Sequence, residues 1–516
     1  MGIPYYFYKL SKTYDDILSK NTPDNVNIYC IDFNGIIHPT TSNYIKSLNN
    51  KIGPDEDNMI QTLYDKIGYY KNLFNPSKII VCVDGVAPLS KIVQQRKRRY
   101  LSVFRNKIDN TEVVWDTNAI TPGTNFMKKL NSFFKKQIRY STSSTRIIFS
   151  GSDEKGEGEH KIFSFLKKEK NGENIIINGL DADLIILSLM SHRQNIYLMR
   201  ENDTEDTIYI NINKLRNAII QEVIIKWDIN IDENFTTNTY SNECNDIIES
   251  YCVMCSLLGN DFVPHLMTLN LKMNGLERLI SAVGTAYKTH GLMVSNSQIN
   301  YSAFAEVLQI ISKNECREIF EITEKYIKNN IHSSAHNNKN KSDFYGIKNK
   351  DPVASKIYEN ISNWKQTYYK HLFYTNISIN STVISNACQA YIYGIYWTYA
   401  YYKKQENLDN TWYYPYNYPP SLKDLCNYTI GNTPPIVQSN AIDISPNIQL
   451  MIVLPQESHY LIDDKYRKVL ENKHSGLYHL HPKEFKIDTY LKTNLWECCP
   501  VLPTINIHTI LHYIKQ

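Results

Sequence analysis

Three short β-branched runs, each stopping at an acid, constrain this chain most. Ile28-Tyr29-Cys30-Ile31 runs into Asp32, and Ile79-Ile80-Val81-Cys82-Val83 runs into Asp84. Ile175-Ile176-Ile177-Asn178-Gly179-Leu180 runs into Asp181 and Asp183. Runs of this kind, closed by polar or glycine-containing turns, read as parallel strands that open into loops. Ligands of an open α/β sheet gather at the carboxyl ends of its strands, so these acids should converge on one crevice.

Convergence has an electrostatic cost. Two carboxylates about 4 Å apart repel by roughly 4 kcal/mol at an effective dielectric of 20, which calls for a cation. Oxygen-only ligands favour Mg²⁺ or Mn²⁺, whose usual work in such a site is phosphoryl or phosphodiester chemistry. A single acid after a strand is commonly a turn or cap residue, and taken one at a time each of these is explained that way. The set is harder to explain so. Gly156-Glu157-Gly158-Glu159-His160 adds two acids two residues apart, and Asp181-Ala182-Asp183 repeats the spacing. On extended backbone that spacing aims both side chains the same way, and the glycines allow close approach to a ligand.

A basic segment follows Asp84. From Val86 to Lys107 the chain carries Lys91, Arg96, Lys97, Arg98, Arg99, Arg105 and Lys107 without an acid, and Pro88 and Ser90 supply helix-start signals. At about 100° per residue, Lys91, Gln95, Arg98 and Arg99 share one helix face, while Arg96 and Lys97 point elsewhere. Most basic helices simply face solvent. Beside the acids, this face reads as a phosphate pocket.

With these residues in view, the chain resembles the Xrn-type 5′→3′ exoribonucleases. The match runs through Met1-Gly2-Ile3-Pro4, Asp32-Phe33-Asn34-Gly35-Ile36-Ile37-His38, Val83-Asp84-Gly85-Val86-Ala87-Pro88 and Gln94-Gln95-Arg96-Lys97-Arg98-Arg99. It continues in Ile120-Thr121-Pro122-Gly123-Thr124, Phe149-Ser150-Gly151, Gly156 to Lys161, Gly179 to Leu184 and Gly259-Asn260-Asp261-Phe262. Trp412-Tyr413-Tyr414-Pro415-Tyr416-Asn417-Tyr418-Pro419-Pro420 is similar to the family's second conserved region.

The resemblance implies an α/β fold: a PIN-like, flap-nuclease-related domain with a mostly parallel sheet, plus a mainly helical second conserved segment. It implies a nuclease domain over 1–270 and the helical region over 356–516, with a variable linker over 271–355, whose Asn/Lys/Ser-rich composition at 333–342 reads as a disordered or mobile stretch. A polar insertion is expected near Asp232 to Glu243. The implied activity is processive, metal-dependent hydrolysis of 5′-monophosphorylated RNA to nucleoside monophosphates. Asp32, Asp84, Glu157, Glu159, Asp181, Asp183 and Asp261 would be the catalytic metal ligands for two Mg²⁺ (or Mn²⁺) ions about 3.5–4 Å apart. Lys91, Gln95, Arg98 and Arg99 would bind the 5′-phosphate, and His38 and Trp412 would stack on the first bases. The large cytoplasmic members carry further C-terminal domains, so a chain ending at Gln516 reads as a minimal form.

Composition agrees with this reading. A 516-residue chain that is 42% hydrophobic with a net charge of +4 is globular, and the local basic segment matters more than the total. Ten scattered cysteines imply no disulfide framework and a reducing compartment. Cys252 and Cys255, a CxxC in an apolar run with no second pair nearby, read as core thiols. No apolar run reaches the length of a membrane span. The expected partners are single-stranded RNA and decapping or other RNA-processing factors, with a monomeric state and no membrane. The expected location is the cytoplasm, with the nucleus, or a virus acting in a host cytoplasm, left open. Two other functions compete: a flap-type DNA 5′ nuclease, which would want a duplex anchor, and an inactive RNA-binding protein, which would have lost a metal acid.

Overall fold

The computed structural model describes residues 2–48, 54–141, 144–179, 181–201, 207–229, 239–328, 345–348, 351–376 and 381–515. Its centre is a seven-stranded sheet made of β1 (Leu18–Ser19), β2 (Ile28–Asp32), β3 (Lys78–Cys82), β4 (Arg146–Ser150), β5 (Ile175–Asn178), β6 (Ile196–Glu201) and β7 (Thr207–Asn211), in the order β1-β7-β6-β5-β2-β3-β4. The five strands β2 to β6 are parallel to their neighbours among themselves; β7 runs antiparallel to β6, and β1 to β7. The mostly parallel sheet expected from the β-branched runs is present.

Side-chain alternation along the strands divides the core in two. Cys30, Ile80, Cys82, Ile175 and Ile177 face one apolar layer, which extends through the Ile212–Trp227, Asn242–Ser256 and Gly275–His290 helices to the Ser381–Tyr402 helix. Tyr29, Ile31, Ile79, Val81 and Ile176 face the other, closed by the Glu56–Phe74 and Asn125–Arg139 helices. Strands buried on both faces explain why these runs are continuously apolar instead of alternating.

The chain leaves β2 for β3 and then β4 on one side, returns to place β5 beside β2, and continues to β6. The direction of winding therefore reverses between β2 and β5. Registers Asp32↔Cys82, Cys82↔Ser150 and Ile31↔Asn178 bring four strand ends level at that reversal.

The described part of 271–355 is helical packing where a linker was expected. Gly275–His290, Tyr301–Ser312 and Glu315–Lys328 are helices. Leu276, Leu279, Ile280 and Val283 pack into the main core with Phe304, Val307 and Leu308. The stretch 333–342 and residues 232–238 of the polar insertion lie outside the described residues. Ser241, at the end of that insertion, caps the Asn242–Ser256 helix through the Cys244 amide.

The second region is mainly helical, built on the 22-residue Ser381–Tyr402 helix. It clasps the basic Leu89–Asp109 helix from outside: Leu89, Ile92 and Val93 pack on Leu450, Met451, Val453 and Ile505. Arg96 is buried in that seam and donates to the carbonyls of Leu480 and Pro503. Cys252 and Cys255 are buried thiols on the Asn242–Ser256 helix, as their spacing suggested. Among the described residues, no helix is long and apolar enough to cross a membrane.

Candidate active site

Asp32 is the last residue of β2, and Asp84 follows β3 by two residues, its amide fixed by the side-chain oxygen of Asn34 at 2.9 Å. Glu157 and Glu159 begin the Gly158–Leu166 helix, and Asp183 begins the Asp183–Met190 helix after β5. Asp261 arrives from another direction, after the Asn242–Ser256 helix, on a turn in which Asn260 accepts from the Phe262 and Val263 amides.

Gly158 shows why a glycine separates the two glutamates. Its amide donates to Asp84 Oδ1 at 2.6 Å, and a Cβ there would lie 2.8 Å from Asp32 Oδ1. Gly2 serves similarly from the start of the chain. Its amide donates to Asp261 Oδ1 at 3.2 Å, its φ is +50°, and a Cβ would fall 2.5 Å from Asp183 Oδ1.

Glu157 and Glu159 both reach the cavity described below, whereas Asp181 and Asp183 do not share one direction, because Asp183 already begins a helix. Asp181 is exposed and lines the cavity described below, whereas Asp183 is buried behind it.

Burial and mutual repulsion dominate the electrostatics. Desolvation first, then Asp84 and Asp181, hold the Asp32 carboxyl well above the usual range. Burial likewise raises Glu159 strongly, with Asp183 adding to it, and raises Asp84 and Glu157. Burial and the neighbouring Asp261 push Asp183 up to about 7. Asp261 itself stays well below the usual range: burial works against its charge, but the Lys91 ammonium beside it prevails. The buried oxygens Asp32 Oδ1 and Asp183 Oδ1 have no hydrogen-bond partner among the described residues. Ligating atoms of Glu157, Glu159 and His160 fall within 4.8 Å of one another. Crowded, partly unsatisfied carboxylates of this kind fit a divalent cation.

Lys91 is set into the acids, reaching Glu157 at 2.5 Å and Asp261 at 2.8 Å. Burial disfavours its charge, but Asp261 and Glu157 reverse this and raise its pKa. A cavity of about 940 Å³ opens above, lined by Asp32, Asp84, Glu157, Glu159 and Asp181 at its floor and by Lys91, Gln95, Arg98 and Arg99 along one wall. The helical spacing therefore did gather the four wall residues. Gln95 Oε1 is buried without a partner among the described residues, and Arg99 is held by Asn118 Oδ1 at 2.6 Å. Asn118 in turn donates to Ser458 of the second region at 2.9 Å.

His38 lines the same cavity from the Asn34–Ser47 helix. Desolvation by the surrounding wall, with Arg99 and Arg98 near, lowers its pKa to about 4, so the ring is neutral at physiological pH. Trp412 does not join it on the cavity lining. Its ring packs on Tyr393 and Trp397 at centroid distances of 5.7 and 5.1 Å and closes over Gly394. Glycine at 394 leaves room for the indole, and the apolar helix around it supplies the burial. The second-region ring on the cavity lining is Tyr460, exposed, with its hydroxyl 3.2 Å from Asp116.

Sequence reasoning also missed Tyr401, whose hydroxyl donates to Glu157 Oε1 at 2.6 Å. It sits in the aromatic run from Tyr391 to Tyr402, where most rings are core and no spacing marks one as different.

The fold and site are those of a nuclease with an acidic centre at the switch point of an α/β sheet. The chain belongs to the XRN 5′-3′ exonuclease family. Residues 1–202 match the XRN 5′-3′ exonuclease N-terminus, and residues 241–361 and 325–516 match the Xrn1 helical domain. It is 27% identical to 5′-3′ exoribonuclease 1 of Homo sapiens, over 100% of this chain and 34% of that protein. It is 24% identical to 5′-3′ exoribonuclease 1 of Schizosaccharomyces pombe, over 98% of this chain and 48% of that protein. It is 24% identical to 5′-3′ exoribonuclease 2 of Gallus gallus, over 98% of this chain and 69% of that protein. The chain thus spans between a third and a half of the length of the first two.

Proposed function

We propose that the protein is a processive 5′→3′ exoribonuclease acting in cytoplasmic RNA turnover, hydrolysing 5′-monophosphorylated RNA to nucleoside 5′-monophosphates. The observation that carries this is one cavity with carboxylates at its floor and Lys91, Gln95, Arg98 and Arg99 along its wall. Asp32, Asp84, Glu157, Glu159, Asp181, Asp183 and Asp261 would hold two Mg²⁺ or Mn²⁺ ions. When bound, the ions supply Lewis-acid stabilisation at the scissile phosphate and acidify the attacking water.

The chain's own groups do the rest. Arg98 and Arg99 present guanidinium forks to the terminal phosphate, and Asn118 fixes the plane of Arg99. Lys91 orients Glu157 and Asp261 while keeping the cluster's net charge down. Glu457 and Asp116 line the same cavity and would repel the extra phosphates of a triphosphate end, which favours a monophosphate. The neutral His38 ring offers a stacking face that ignores base identity.

The deciding experiment compares 5′-monophosphate, 5′-triphosphate and capped RNA, each with and without Mg²⁺, alongside single-stranded DNA, for the wild type and for Asp84→Ala and Asp181→Ala. The expected result is Mg²⁺-dependent release of mononucleotides from the monophosphate RNA alone. Both variants should be inactive yet still bind RNA. Full activity in excess EDTA, or undiminished cleavage by Asp181→Ala, rejects the reading; preferential cleavage of DNA moves it to a flap-type DNA nuclease.

A further inference from the structure

The geometry points to Tyr401 as a positioning residue for the metal site: its hydroxyl, carried on the second region's longest helix, holds Glu157 in the orientation in which it binds a cation. The inference rests on the proposed metal role of Glu157.

The two oxygens of Glu157 have different partners. Oε2 meets the Lys91 ammonium at 2.5 Å, and Oε1 accepts from the Tyr401 hydroxyl at 2.6 Å. A carboxylate at the entry of a helix can rotate about its side-chain bonds, and one donor leaves that rotation open. Two donors on opposite oxygens fix its plane. Tyr401 does so without adding charge, so the carboxylate keeps its attraction for a divalent ion. This is what second-layer donors around metal carboxylates achieve.

The Tyr401 ring is itself fixed by the segments that bear the other ligands. It lies 4.0 Å from the His160 ring, next to Glu159, and meets Phe262, next to Asp261, edge-on at 5.4 Å. Trp397, one turn back on the same helix, stacks on it at 5.0 Å and 17°. One side chain therefore touches Glu157 and the immediate neighbours of two further acids.

The helix carrying it is tied down nearby. Tyr399 and Lys403 both donate to the buried Glu249 on the Asn242–Ser256 helix. A rigid support is what a positioning donor requires. The helical second region then completes the acidic site as well as packing beside it.

The test is a Mn²⁺ titration of the full chain followed by electron paramagnetic resonance, on the wild type, Tyr401→Phe, Glu157→Gln, the double variant and Tyr396→Phe. Phe keeps the ring contacts and removes only the hydroxyl. Tyr396 lies on the same helix, and its buried hydroxyl has no partner among the described residues, so Tyr396→Phe is the matched control. Tyr401→Phe should weaken Mn²⁺ binding about 10- to 100-fold, the usual consequence of losing a second-layer partner. Tyr396→Phe should bind as the wild type does, and the double variant no more weakly than Glu157→Gln.

Wild-type Mn²⁺ affinity in Tyr401→Phe, with weakened affinity in Glu157→Gln, overturns the inference alone. Wild-type affinity in Glu157→Gln overturns the metal role of Glu157 beneath it. Additive losses in the double variant return the hydroxyl to packing and also overturn the inference.

Discussion

Replacing Glu249 by glutamine should make the protein's stability lose part of its dependence on pH, by an amount the structure sets. Glu249 is buried on the Asn242–Ser256 helix and accepts from His192 at 2.7 Å, from Lys403 at 2.6 Å and from Tyr399. Burial opposes its charge, but these donors outweigh burial and hold its pKa down to about 2. An unfolded glutamate titrates near 4.3, and each tenfold difference in proton affinity is about 1.4 kcal/mol. The charged form therefore contributes about 3 kcal/mol to folding at neutral pH. Because the folded value is the depressed one, that contribution is complete above about pH 4.3. It is lost as pH falls toward 2. Protonated glutamic acid and glutamine are alike in shape, so the gap between wild type and Glu249→Gln should be about 3 kcal/mol at pH 7 and narrow steadily below about pH 5. Urea midpoints read by pulse proteolysis from pH 7 to pH 3 measure that gap. A gap that is constant with pH, or that widens toward acid, refutes the reasoning.

Two further outcomes test the site. Gly158→Ala places a Cβ 2.8 Å from Asp32 Oδ1 and 3.0 Å from the Cys82 carbonyl oxygen; it should cut metal-dependent RNA hydrolysis about 10-fold or more for a stability loss of about 1–3 kcal/mol, measured by parallel activity and melting assays. Replacing Arg98 and Arg99 together by alanine removes two charged donors from the cavity wall; the preference for 5′-monophosphate over 5′-hydroxyl RNA should fall about 10- to 100-fold in competition assays, with overall RNA affinity much less changed.

The sheet and its acids were legible because each strand is a β-branched run, doubly buried and therefore unbroken by polar residues, with an acid where the run stops. The basic face was legible for a similar reason: helical periodicity fixes which residues share a side, and Lys91, Gln95, Arg98 and Arg99 obey it. What lay beyond local pattern was not legible. Nothing near Lys91 says that its ammonium turns inward to Asp261, since that contact closes over 170 positions of sequence. Trp412 and Tyr401 are both rings in an aromatic stretch, and only the packing on Gly394 and the reach to Glu157 tell them apart. The Gly275–His290 helix was read as part of a linker, although its Leu276, Leu279, Ile280 and Val283 follow helical spacing. Gly284 and Thr285 and the following polar turn diluted that signal.

Because β2, β3, β4 and β5 stand side by side in register, the two ends of these strands differ in how much change in chain length they tolerate. One residue added or lost within β3 would turn every following side chain to the opposite face and carry Asp84 away from Asp32. At the other end, where Ile28, Lys78, Arg146 and Ile175 begin their strands, no site acid depends on the length of the loop. Insertions and deletions separating this chain from its relatives should therefore collect at that edge of the sheet and be purged from the segments Asp32–His38, Val83–Lys91, Ser150–Glu159 and Asn178–Asp183.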